Sequence, residues 1–176
     1  MANDTTTYET PIENPLDCVE DILKSNNWVF NRLSDEELLV KVSGRHCGYN
    51  LIFLWQDDMN ALQFTVQYDL RINEAHMDKA AHTLLSLNEG LWMGHFAVPG
   101  DSRGPVFRHT SLFRGMGNES VHEALEDLVD IGLSLCEQYY SVFYLLSHAN
   151  DASAGTATAA DDQSLSLALM ETVGQC

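Results

Sequence analysis

The chain reads as an α+β protein: an antiparallel sheet of about six strands packed against helices. The order is α-ββββ-α-ββ-α plus a C-terminal tail helix. Three observations predict this. Four β-type runs follow one another between residues 28 and 68, with connections too short for crossovers, so neighbours pair antiparallel. From residue 73 the apolar residues recur at helical spacing instead of alternating. A second, longer stretch of helical spacing runs from about residue 118 to 147.

Asn14 and Pro15 open the first helix. Asn caps well, Pro suits the first helical position, and Asp17 adds negative charge in the first turn. Leu16, Val19 and Leu23 supply its apolar stripe, and residues 25–27 end it. Strands are expected at 28–33, 37–42, 49–55 and 62–68. The third is apolar throughout, as a central strand would be, while Leu62, Phe64, Val66 and Tyr68 alternate toward the core. Asn73 caps the second helix, whose expected buried stripe is Met77, Ala80, Ala81, Leu84 and Leu87. Residues 92–98 and 106–113 form a hairpin around the turn 99–105, which is rich in Gly, Pro, Asp and Ser. Asn118 or Ser120 caps the longest helix, and acids crowd its N-terminal half, where they suit the helix dipole. Residues 1–13 read as a flexible leader, 14–148 as the domain and 149–163 as a linker. Residues 164–176 read as a short amphipathic helix carrying Leu165, Leu169 and Val173. A helix that short needs a surface to dock on, in its own domain or in a partner.

Charge narrows the function. Nine basic residues face 26 acidic ones, for a formal charge of −17. Nucleic-acid binding depends on Lys and Arg neutralising phosphates, so that partner class is disfavoured, as is an anionic membrane surface. No Lys or Arg follows Arg114, whereas acids continue to Glu171. This is either solubility or an acidic face that steers a basic partner. The start has no signal-peptide pattern, and no apolar run is long enough to span a bilayer, so a cytoplasmic location is expected. The four cysteines, Cys18, Cys47, Cys136 and Cys176, form no CxxC and read as reduced thiols.

A search for chemistry finds no constellation. Glu119 and His122 stand three apart, but a di-metal site needs that element twice with further carboxylates. Asp78 and His82, beside Lys79, read as a surface ion pair or as plain solvent-exposed residues. His46 and Cys47 are adjacent in a loop, with nothing nearby in sequence to orient the base. Ser134 lacks the nucleophile-elbow pattern. Gly115-Met-Gly117 lacks a preceding strand and a third glycine. The stretch 100–104 is not followed by the Lys-Ser/Thr of a phosphate-binding loop. No catalytic residue, metal or cofactor is assigned. Trp28, Trp55 and Trp92 are expected on strands, packed in the core.

Several segments together resemble the YbjN-domain family. They are Leu87-Asn-Glu-Gly-Leu-Trp-Met-Gly-His-Phe96 and Gly104-Pro-Val-Phe-Arg-His109, with Asn14-Pro15 and a tryptophan-led first strand. Ala61-Leu-Gln-Phe64, Glu137-Gln-Tyr-Tyr140 and the ending Leu169-Met-Glu-Thr-Val-Gly174 complete the set. Their order and spacing cover nearly the whole chain from Asn14 on, apart from the linker. One departure is Ser141, where a proline often follows the paired tyrosines. The resemblance implies a fold like the chaperones of type III secretion, which are small acidic α+β dimers that bind extended client segments. It also implies a bacterial regulator of sensory transduction, and it carries over no catalytic residues.

The expected function is therefore a non-catalytic, chaperone-like or regulatory module that binds another protein, with a homodimer as a separate expectation. Candidate contacts are the hairpin Trp92 to Phe113, above all Trp92, Phe96 and Phe107, and the long helix, with Leu165, Leu169 and Val173 on the tail. The alternative is a small-ligand sensor whose pocket is lined by Trp28, Trp55 or Phe64.

Overall fold

The computed structural model describes residues 14–148 together with Leu167 and Ala168. The expected leader, linker and most of the tail, including Leu165, Leu169 and Val173, lie outside the described residues. The elements are α1 (Pro15–Ser25), β1 (Phe30–Arg32), β2 (Glu37–Ser43), β3 (Gly48–Gln56), β4 (Ala61–Tyr68), α2 (Met77–Glu89), β5 (His95–Ala97), β6 (Val106–Leu112), α3 (Asn118–Gln138) and α4 (Tyr140–His148). The six strands form one antiparallel sheet in the order β1-β2-β3-β4-β6-β5. The α+β class and strand count thus agree with the sequence.

Asn14 starts α1 as its chemistry requires. Its Oδ1 accepts the Leu16 N–H (3.0 Å), while its amide donates to the Asp35 carbonyl (2.6 Å). The turn between β3 and β4 places Asn60 at φ 49°, a left-handed position that asparagine tolerates. Along β2, β3 and β4 every second side chain enters the core, with Leu38 opposite Phe53, Phe53 opposite Phe64, and Tyr49 opposite Tyr68. Helix α1 covers this face through Leu16, Val19 and Leu23, and α3 through Val121, Leu125 and Leu128. Gly132 lets α3 approach the sheet, because a Cβ there would stand 2.6 Å from Cε1 of Phe64.

Several local expectations change, the first being that the cap of α3 is Gly117 and not Asn118 or Ser120. In α2 the buried positions are Ala80, Thr83 and Leu87, and Ala81 is exposed. Thr83 tolerates burial because its hydroxyl donates to the Lys79 carbonyl (2.9 Å). The long C-terminal helix divides at Tyr139. Just before the break the Tyr68 hydroxyl donates to the Cys136 carbonyl (2.7 Å), and a side chain inserted into the helical ladder is a known source of a kink. Of the three tryptophans only Trp55 is on a strand: Trp28 lies between α1 and β1, and Trp92 in the loop before β5. A strand does precede Gly115-Met-Gly117, since β6 runs to Leu112, but that sheet is antiparallel and the third glycine is still lacking.

Candidate functional site

The sequence singled out His46 and Cys47 for want of an orienting group, and the fold supplies one. The β2–β3 loop folds against the end of α3, where His46 Nδ1 lies 2.7 Å from Glu137 Oε2. The backbone N–H of Arg45 donates to Oε1 of the same carboxylate (2.7 Å). The His46 ring stacks on Tyr140 at 4.9 Å and 13°. The row of rings continues along α4 from Tyr140 to Tyr144 (5.7 Å) and from Tyr144 to His148 (4.1 Å). Glu137 is 91 residues from His46 in sequence, so no local motif could announce the pair.

The electrostatics of this corner oppose nucleophilic chemistry. Burial pushes the Cys47 thiol up, and nearby Glu137 and Asp69 add to the shift, although hydrogen bonding from Tyr49 and Asp69 pulls the other way. A thiol held above its ordinary value is the reverse of an activated thiolate. Behind it, burial pushes the Tyr49, Tyr68 and Cys136 groups up as well. The Tyr49 hydroxyl is buried without a hydrogen-bond partner of good geometry, though it stands close enough to Cys47 to affect its ionisation. The arrangement pins the loop to the helix end.

The other polar candidates stay apart. His122 is 3.9 Å from Glu126, one turn along the helix and away from Glu119. Asp78 and His82 are both exposed on α2, and Ser134 is exposed within α3. Among the described residues no group of three His, Cys, Asp or Glu side chains is placed to hold a metal ion. No helix among them is long and apolar enough to cross a membrane.

The expected contact residues divide. Trp92 is 76% exposed. Phe96 and Phe107 are buried and hold the sheet together, so they offer no partner surface. The Phe96 ring lies 5.3 to 6.4 Å from those of Phe143, Phe107, Tyr139 and Tyr68. Alternation explains this: Phe96 and Phe107 sit opposite one another on the helix-covered face. Gly94, at φ +65°, brings the chain into β5 so closely that any Cβ there would strike the Phe107 ring. Of the tail, Ala168 is buried in the core cluster while Leu167 is exposed. Sequence reasoning did not single out the exposed aliphatics Leu85 on α2, Leu112 at the end of β6, and Val29 and Leu33 on either side of β1. For Val29 and Leu33 the signal was available, since an apolar residue beside a turn has no assured place in the core.

The architecture defines a class: a small α+β protein of one antiparallel sheet backed by helices. Residues 15–145 match the model of the YbjN family, described as "Putative bacterial sensory transduction regulator", and the chain belongs to that family. Among solved structures it is similar to the crystal structure of YbjN from E. coli, with 12% identity and a TM-score of 0.49, over 68% of this chain and 84% of that one. No curated protein matches it.

Proposed function

We propose that this chain is a non-catalytic bacterial regulator that acts in the cytoplasm by binding another protein, in the manner of a chaperone or adaptor. The observation that carries the reading is Trp92, exposed on the loop after α2, with Leu85 exposed on α2 itself. Tryptophan is among the residue types most enriched at binding hot spots, and this one stands three-quarters in water. The family's description as a regulator supports a binding role. The raised Cys47 thiol and the 26 acidic residues weigh against thiol catalysis and nucleic-acid binding respectively. The sensor alternative gains nothing from the core. Trp55 and Phe64 are buried there, and Phe64 packs against the backbone of α3 at Gly132.

The test is affinity capture from native bacterial lysate with the wild type and Trp92→Ala side by side. A specific protein retained by the wild type and weakened about tenfold or more in the variant is the expected result. Capture that is indifferent to Trp92, or no specific protein under several growth conditions, would count against the reading.

A further inference from the structure

β1 is an outer strand of the sheet, bonded to β2 and to no other described strand. The N–H of Leu33 donates to the Glu37 carbonyl at 2.9 Å. Antiparallel ladders alternate, so Asn31 turns its backbone groups toward β2, while Phe30 and Arg32 turn theirs outward. Among the described residues, nothing bonds to those outward groups. Side chains alternate too. Phe30 packs on the core, and Arg32 reaches Asp17 (3.1 Å) and Glu20 (3.0 Å) on α1, so both point to the helix side. Val29, Asn31 and Leu33 share the other face. There Val29 is 87% and Leu33 51% exposed, and neither packs on the core cluster.

The run from Val29 to Leu33 is symmetric about Asn31 in what matters for pairing. Laid antiparallel on a copy of itself with Asn31 opposite Asn31, it sets Phe30 opposite Arg32 and Val29 opposite Leu33. Phe30 and Arg32 are the residues whose backbone groups face out. Each of the two Phe30–Arg32 pairs therefore closes two N–H···O=C bonds. Each exposed aliphatic is covered by its counterpart.

We propose that β1 is a self-association edge, to which a second copy of this chain adds its own β1 in this register, fusing the two sheets across a two-fold axis. A foreign extended peptide could satisfy the outward backbone groups. The chain itself also supplies an aliphatic side chain opposite each exposed one, which makes the contact isologous. The other end of the sheet cannot substitute. At β5 the outward N–H and C=O of Phe96 are both taken by the Asn88 side chain, at 2.7 and 2.9 Å. A β1-to-β5 array is thereby blocked, and assembly closes at two copies. A few backbone bonds and two aliphatic pairs act against the repulsion of two chains of formal charge −17, so the dimer is weak. Salt screens that repulsion and strengthens it.

The experiment is sedimentation of the full chain from micromolar to submillimolar concentration, at low and moderate salt. The dimer fraction should rise with both. Val29→Lys combined with Leu33→Lys changes only exposed side chains and should weaken the dimer at least tenfold with an unchanged circular-dichroism spectrum. In a Cys176→Ser background, Asn31→Cys should cross-link under mild oxidation. Directly opposed residues of this kind have Cα atoms about 4.5 Å apart, within disulfide reach. Leu85→Cys on α2 should not cross-link. Trp92→Ala should dimerise normally, which separates this edge from the partner surface. A monomer at every concentration, a double-lysine variant that dimerises like the wild type, or Leu85→Cys linking as readily as Asn31→Cys would overturn the proposal.

Discussion

The two outer strands of the sheet are equally short, three residues each, and are finished in opposite ways. β5 is sealed. Its central residue, Phe96, sits in an aromatic cluster on one side, and both its outward backbone groups are held by Asn88. The Asn88 amide, one donor and one acceptor side by side, imitates the missing strand. β1 has no such cap. Arg32 ties its helix-side face to α1, while its outer backbone groups and the aliphatics Val29 and Leu33 face solvent. Natural sheets usually protect both edges against pairing. An edge left open beside a sealed one locates where a strand can be added.

The comparison can be broken hardest at Phe96. Phe96→Ala empties the middle of the cluster that carries β5 and should destabilise the chain by about 3–5 kcal/mol, read as a fall in the urea midpoint. Asn88→Ala is the sharper probe, because it strips the cap and leaves the core intact. Leaving the N–H and C=O of Phe96 without partners should lower stability by about 1–3 kcal/mol. It should also open β5 to pairing, seen as association beyond the dimer at high concentration. At the other edge Arg32→Ala removes two ion pairs from a side chain that remains partly in water. Its effect should be about 1 kcal/mol or less, measured by thermal unfolding. Equal losses for Asn88→Ala and Arg32→Ala would mean that the two edges are not finished differently.

Much of this fold was legible in the residues. Asn14-Pro15, the alternation of Leu62, Phe64, Val66 and Tyr68, and the change of period after Asn73 each rest on interactions within a few residues of one another. Local geometry alone imposes those patterns. The division of the long helix at Tyr139 was not legible, because the Tyr68 hydroxyl that meets the helix there comes from 68 residues away in sequence. Trp92, Phe96 and Phe107 were all apolar candidates on one hairpin, and their separation into one exposed and two buried residues depends on which face the helices cover. The Glu137–His46 pair was invisible for the same reason. Both residue types are common on surfaces, and only the docking of the β2–β3 loop on α3 makes them partners.

By itself the sequence determined the α+β class, the six strands, the acidic charge and the absence of any local catalytic motif, since composition and short-range periodicity settle each of these. The tertiary structure alone decided which edge is capped and which is open. Asn88 and Phe96 are eight residues apart, yet their bond requires α2 to lie beside β5. At β1 nothing comparable arrives among the described residues, because the turn after α1 leads directly into the strand. Whether an edge is closed depends on what packs next to it, and packing is a property of the assembled layers.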